Sequence, residues 1–227
     1  KSWKYMFLVI LLILPVVGLV GSNNLSTAII ILGIAVILIF VANPQFLPFL
    51  WIGGTGVGFI GIFLSLESYR LERLAIWRNP ELYEKGYQTM QGLYAIGSGG
   101  LFGVGLGESM QKLGFVPEAQ NDMIFSIICE ELGLTGAVAV LVIFGLLIWR
   151  LMVIATWTKD LFGALLAAGV MGHIMIQVIL NVAVVTNTIP NTGITLPFVS
   201  YGGTSVVFLL LEMGIALSVS RGVRKEH

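Results

Sequence analysis

Six nearly uninterrupted apolar stretches recur along the chain, at Tyr5–Val20, Thr27–Ala42, Leu47–Leu64, Leu134–Trp149, Leu161–Val185 and Thr204–Ser218. A helix needs about 20 residues to cross the hydrocarbon core of a bilayer. Lipid offers no partner to a bare peptide group, so runs of this kind are read as helices. Composition agrees: 57% of residues are hydrophobic and 11% charged, where a soluble domain carries roughly a quarter charged. The expected fold is an all-α polytopic membrane protein. Its parts are three transmembrane spans in 1–64, a long extracytoplasmic loop with short helices in 65–133, and three more spans in 134–227. The last part includes an outer loop at 186–203 and a short tail. Pro15 removes a backbone donor inside the first run and predicts a kink there.

Twelve Lys and Arg balance twelve Asp and Glu, which excludes a nucleic-acid binder built on a basic face. The single cysteine, Cys129, excludes an intramolecular disulfide framework and a multi-cysteine metal site. Lys and Arg gather on cytoplasmic flanks. Arg221, Arg224 and Lys225 therefore place the tail inside, and counting back through six spans places Lys1, Lys4, Arg150 and Lys159 inside as well. Both ends of the chain are expected to be cytoplasmic. The 65–133 loop holds Arg70, Arg73, Arg78, Lys85 and Lys112 against nine carboxylates. The first run resembles a signal peptide only superficially, since no cleavage site is convincing and further spans follow. The chain begins without Met, and it is read as a fragment of a longer protein.

Chemistry is expected in the long loop, because long loops in compact proteins are commonly functional. Arg70 and Arg73 lie three apart, on one face of a helix. Asn79-Pro80 marks a turn, and Gly86–Ile96 reads as a short helix lying on the membrane surface. Gly97–Gly107 has six glycines in eleven residues. It lacks the strand-then-helix setting of a nucleotide loop, so a compact turn with close backbone approach is expected. Beyond Lys112, the residues Asp122, Ser126 and Glu130 recur every fourth position as a polar stripe on an apolar helix.

Two readings of Asp122 fit this pattern. It is either an acid that satisfies the dipole and free amides of a helix start, or a functional carboxylate held beside Arg and Lys at the membrane surface. In the last outer loop, two prolines and three glycines from Pro190 to Gly203 force turns around Ser200 and Tyr201. Irregular backbone at that depth implies a cavity mouth opposite the long loop. Within the spans, His173 reads as a neutral interhelical hydrogen bond or a functional group. Glu212 reads as protonated or paired with a base outside this chain.

Taken in order, Gly86-Tyr-Gln, Leu93-Tyr-Ala-Ile-Gly-Ser-Gly-Gly, Gly103-Val-Gly-Leu-Gly, Pro117-Glu-Ala-Gln-Asn-Asp-Met-Ile-Phe, Glu130-Glu-Leu-Gly and Pro190-Asn-Thr-Gly-Ile-Thr-Leu-Pro-Phe-Val-Ser-Tyr-Gly-Gly-Thr-Ser resemble the SEDS family. These are the shape, elongation, division and sporulation proteins, lipid II polymerases of bacterial cell-wall synthesis. The last motif, preceded by Val184-Val-Thr, is more similar to the division and sporulation branch (FtsW, SpoVE) than to the elongation branch (RodA). The resemblance covers nearly the whole chain but only the C-terminal part of a family member. Two departures stand out. Asn24 occupies a position that is acidic in many members, and Asn121 replaces the more usual Thr before the aspartate.

The resemblance implies that Asp122 is the essential outer-loop aspartate. It also implies that Arg70, Arg73, Lys112 and Glu118, with Ser200, Tyr201, Gly202 and Gly203, contact substrate. The implied reaction joins an undecaprenyl-linked glycan to the sugar 4-hydroxyl of lipid II at the outer face of the bacterial cytoplasmic membrane. A diphosphate leaving group is a weak base, so one carboxylate base suffices where a glycosidase needs a second as general acid. Cations attend the diphosphate. A divalent cation, Mg²⁺ or Mn²⁺, can share that work, with Asp122 then its ligand. The implied partners are membrane lipid and a class B penicillin-binding protein. A lipid flippase or transporter, or a non-catalytic scaffold for that partner, are the alternatives to an enzyme.

Overall fold

A computed structural model describes residues 2–43 and 68–224, and every regular element among them is helical. The run Leu47–Leu64 lies outside the described residues. The helices are α1 (Ser2–Asn23), α2 (Leu25–Ala42), α3 (Ser68–Arg78), α4 (Tyr87–Gly99), α5 (Ile124–Trp157), α6 (Leu161–Val185) and α7 (Gly203–Arg224). Of these, α2, α5, α6 and α7 are long and apolar enough to cross a membrane, and α1 adds the shorter apolar stretch Leu11–Ser22. Large side chains such as Leu19 (74% exposed) and Phe208 (61%) face outward. Such an apolar exterior suits hydrocarbon as solvent, and the protein is a multi-pass membrane protein.

Several boundaries differ from the sequence reading. Helix α1 continues through Pro15 to Asn23, which shortens the connection expected at Gly21–Ser26 to Asn24. The Asn24 side chain accepts from the Thr27 amide at 3.2 Å and so caps α2; at the position where many members of the resembling family carry an acid, this residue serves the helix start. Helix α5 runs to Trp157 and α7 to Arg224. Apolar counting stops at the first charges, whereas helical hydrogen bonding continues past them.

The chain divides into two compact units. One contains Lys1–Phe59, Leu147–Ile176 and Phe208–His227. Here small residues set how closely helices approach: a Cβ on Gly33 would lie 2.6 Å from Ile176 Cδ1, and one on Gly172 would lie 2.8 Å from Ile37 Cδ1. Close glycine contacts of this sort are a usual means of helix association in lipid. Asp160 caps α6, its Oδ2 accepting from the Gly163 amide at 2.9 Å. His173 Nδ1 on α6 lies 2.9 Å from both carboxylate oxygens of Glu212 on α7. Glu212, read from sequence as either protonated or paired with a base outside the chain, has a partner within the chain in His173.

The other unit contains Ile60–Leu146 and Gln177–Val207. Its centre is an exchange of backbone bonds around Gly133, the one residue in α5 with non-helical angles (φ 67, ψ −167). A continuous helix would pair the amides of Leu134 and Thr135 with the carbonyls of Glu130 and Glu131. Those amides instead reach Gly100 O (2.9 Å) and Leu101 O (3.1 Å). The freed carbonyls accept from Val104 and Gly105, each at 3.0 Å. All four groups stay satisfied, as buried backbone requires. Glycine permits the approach, because a Cβ on Gly103 would sit 2.1 Å from Glu131 O. The glycine-rich run is thus the compact turn expected from sequence, and it starts the span-forming part of α5 at Leu134.

Candidate active site

Asp122 lies in a series of turns from Pro117 to Met123, two residues before the first residue of α5. The expectation of one helical stripe is corrected accordingly: Ser126 and Glu130 are on the helix, whereas Asp122 precedes it. Three successive carbonyls in this segment are bonded from elsewhere in the unit. Gln120 O accepts from the Tyr201 amide at 2.8 Å. Asn121 O accepts from Ser200 Oγ at 2.6 Å. Asp122 O accepts from Asn181 Nδ2 at 2.8 Å. With its carbonyls held this way, the segment does not coil into a further turn of α5.

Asp122 is 8% exposed as a residue and lines a cavity of about 300 Å³. Gln88, at the start of α4, places Nε2 3.4 Å from each of its oxygens. Gln88 Oε1 accepts from Asn191 Nδ2 at 3.2 Å. Helix α3 supplies another wall: Arg73 Nη1 donates to Asn191 O (3.3 Å) and Trp77 Nε1 to Asn187 O (2.9 Å). Lys85, paired with Glu72 at 2.9 Å, also lines the cavity. The last outer loop was expected to form a mouth opposite the long loop. It instead contributes Asn187, Asn191 and Gly193 to the same cavity as Asp122. Irregular backbone here is buried against the other loop, which satisfies its polar groups.

Burial pushes the Asp122 carboxyl above its ordinary value, and the nearby Glu118 charge adds to the rise; hydrogen bonds from its own amide, Gln88 and the Met123 amide oppose it. Amides at the helix start do contact Asp122, as the first of its two sequence readings had it, while desolvation still prevails. A carboxylate with raised proton affinity in a cavity that also holds Arg73 and Lys85 can accept a proton near a bound anion.

Other site residues from the sequence are distributed differently. The Arg70 backbone is in α3, three residues from Arg73. Lys112 is committed elsewhere: its Nζ lies 2.6 Å from Glu131 Oε1 and 2.6 Å from Gly107 O. Glu118, at a positive φ of 53°, takes a bond from Asn121 Nδ2. Lys112 and Glu118 line a second, more open groove with Leu113, Val116 and Ile124. Ser200 is buried, and Tyr201 is 74% exposed. Gly202 and Gly203 lead into α7. Sequence reasoning missed Lys85, Gln88, Asn181, Asn187 and Asn191. For the four carboxamides the available signal was the side chain itself, in particular Asn181 inside an apolar run, and for Lys85 its place among the bases of the long loop.

Among the described residues Asp122 lacks the companions of a protein-held metal. Among the described residues no three His, Cys, Asp or Glu side chains converge. The carbonyl oxygen of Gln88 is occupied by Asn191, and that of Asn191 by the Gly193 amide. This donor set does not fit a cation held by the chain alone.

A helical membrane protein with one desolvated carboxylate in an interhelical loop cavity is the class these features define. The FtsW/RodA/SpoVE sequence profile, described as cell cycle protein, matches residues 1–225, and the chain belongs to that family. It is 43% identical over 218 residues to stage V sporulation protein E of Bacillus subtilis, covering 91% of this chain and 59% of that protein. It is 38% identical over 221 residues to a probable peptidoglycan glycosyltransferase FtsW of Trichlorobacter lovleyi, covering 96% of this chain and 58% of that one. The chain thus spans somewhat under three fifths of the length of these relatives. Among solved structures it is similar to a chain from work described as "Structural coordination of polymerization and crosslinking by a peptidoglycan synthase complex", with TM-score 0.79, 30% identity, and coverage of 100% of this chain and 64% of that chain. It is also similar to Thermus thermophilus rod shape determining protein RodA, with TM-score 0.65, 30% identity, and coverage of 100% and 59%.

Proposed function

We propose that the protein containing this chain polymerises lipid II into glycan strands at the outer face of the cytoplasmic membrane, in division or sporulation, and that Asp122 is its general base. The observation that carries this reading is the Asp122 carboxylate, buried, raised in proton affinity and sharing a cavity with Arg73 and Lys85. Asp122 takes the proton of the acceptor 4-hydroxyl as that oxygen attacks the anomeric carbon of the donor. The bond from that carbon to the diphosphate breaks, and undecaprenyl diphosphate leaves with the electron pair. The leaving group needs no proton, so no second acid is required of the set; Glu72, which also lines the cavity, is paired with Lys85. Arg73 and Lys85 face the charge that builds on the diphosphate, and Arg70 belongs to the same helix. A raised proton affinity moves the base toward working pH, where proton transfer is most effective.

In this reading the site lies outside and both ends of the chain are cytoplasmic, following the basic residues at 221–225. A divalent cation, Mg²⁺ or Mn²⁺, would be held chiefly by the substrate's phosphates, with Asp122 as the available carboxylate of this chain in place of its role as base, and would supply charge neutralisation at the diphosphate. A class B penicillin-binding protein is the partner. The test is polymer formation by the full-length protein with that partner, supplied with lipid II, with and without Asp122→Ala. Loss of about a hundredfold or more in the alanine variant is expected. Equal polymer from both would sink the assignment, and lipid movement across vesicles without polymer would assign a transport function instead.

A further inference from the structure

In the motif Leu196-Pro-Phe-Val-Ser-Tyr-Gly-Gly, Ser200, Tyr201, Gly202 and Gly203 were expected to contact substrate. The Ser200 side chain and the Tyr201 amide are engaged inside the protein. Ser200 Oγ donates to Asn121 O at 2.6 Å and accepts from the Leu196 amide at 2.7 Å. One hydroxyl therefore closes its own turn and holds the residue before Asp122. The Tyr201 amide holds Gln120 O, while the Tyr201 ring stays exposed. From α6, Asn181 is fully buried and donates to both Asp122 O (2.8 Å) and Ile194 O (2.7 Å). It joins the two loops at the aspartate itself. The turn carrying Ser200 is strained: Phe198 sits at φ 61°, a conformation costly for a bulky residue and kept only where surrounding structure over-determines it.

We infer that Ser200 and Asn181 are positioning residues, which with the Tyr201 amide clamp the backbone of Gln120, Asn121 and Asp122 and so aim the Asp122 carboxylate into its cavity. The clamp acts on three consecutive carbonyls, so releasing one lets the next residue rotate. It explains why a strained turn is built around a serine that the cavity lining does not include. The inference rests on the proposal that Asp122 is the base, and it assigns the motif to geometry instead of substrate contact.

The test uses the full-length protein with its partner and lipid II. Ser200→Ala removes the hydroxyl, Ser200→Thr keeps it, and Asn181→Ala breaks the clamp from α6. A displacement of about 1 Å at a reacting group can cost roughly a hundredfold in rate. Ser200→Ala is therefore expected to lower kcat by about 10- to 100-fold with KM within about twofold, and Ser200→Thr to recover most of the loss. A raised KM with kcat kept would make Ser200 a substrate contact and overturn the proposal, as would an alanine variant with full kcat.

A second measurement needs no catalysis. In a background without other reactive cysteines, Asp122→Cys is labelled with a small maleimide, with and without Ser200→Ala. A several-fold change in labelling rate is expected, and an unchanged rate overturns the clamp. If Asp122 proves not to be the base, the labelling still changes, so the two failures are distinguishable. Asn181→Ala carries both measurements should Ser200→Ala fail to fold.

Discussion

Gln88 touches both oxygens of the Asp122 carboxylate, its Nε2 lying 3.4 Å from each, and is itself oriented by Asn191. One carboxamide thus links the start of α4, the aspartate and the last outer loop. Its donor lowers the proton affinity of a group that burial raises. Gln88→Glu would replace that donor with a like charge. The carboxyl of Asp122 then rises further. A base must be ionised to work, so the acid limb of the pH–rate profile should move to higher pH, with activity falling near neutrality and recovering in alkali. Gln88→Ala should lower kcat about tenfold by loosening the carboxylate. Polymer formation measured across pH checks both, and an unmoved acid limb in Gln88→Glu would mean that Asp122 is not the titrating group.

The raised proton affinity of Asp122 is also a statement about stability. The folded chain binds this proton more tightly than the unfolded chain, whose value is near the ordinary 3.8. Stability therefore falls as pH rises from that value through the raised folded one, and remains reduced above it. Asp122→Asn removes the buried charge while keeping the side-chain shape. At neutral pH it should raise the thermal midpoint, by roughly 2–4 °C for each kcal/mol relieved, while abolishing polymerisation. Near pH 3 the gain should vanish. Thermal unfolding of both proteins at the two pH values is the check, and an asparagine variant less stable at neutrality would contradict the burial cost.

How far the sequence carries can be judged from particular residues. The apolar runs among the described residues and the compact turn of Gly97–Gly107 were readable, because length and glycine content report directly on lipid and on backbone freedom. Asp122 was identifiable by resemblance, whereas spacing alone left it ambiguous between a helix-start acid and a functional one. Lys112 looked like a companion to Asp122, being ten residues away, yet it pairs with Glu131 at 2.6 Å. Spacing favours the nearer carboxylate, ten residues away, whereas the fold brings up Glu131, nineteen residues away. Lys85 and Gln88 reach the cavity through the turns at Pro80–Leu82 and Glu84–Gly86. Asn181 and Asn191 are far from Asp122 in sequence. Such long-range juxtaposition is tertiary information that local pattern does not hold.

The glycine exchange around Gly133 gives a sharp contrast between two positions on α4. A Cβ on Gly97 meets nothing within 4 Å, while one on Gly99 would lie 1.9 Å from Cys129 O and 2.9 Å from Glu130 Cα. Gly97→Ala should be neutral or stabilising, by up to about 1 kcal/mol, as alanine suits a helix better than glycine. Gly99→Ala forces backbone apart and should cost about 1–3 kcal/mol or more, as overpacking does. Unfolding midpoints of the two variants in the same detergent would settle it. Equal effects would show that the α4–α5 approach is looser than these distances.

The His173–Glu212 pair joins α6 to α7 with side chains 24% and 28% exposed within their unit. Interhelical polar bonds in membranes are worth about 0.6 kcal/mol on average and up to about 1.7, because the separated helices find other partners. One Nδ1 shared between both oxygens at 2.9 Å makes a single three-centre bond, and Glu212→Ala should cost about 0.6–1 kcal/mol. Glu212→Gln keeps an acceptor for a neutral imidazole and should cost less. In a double-mutant cycle with His173→Ala, the two losses should not add, since either substitution alone already breaks the bond. Fully additive losses in unfolding measurements in bicelles would mean that the two residues act separately in the membrane.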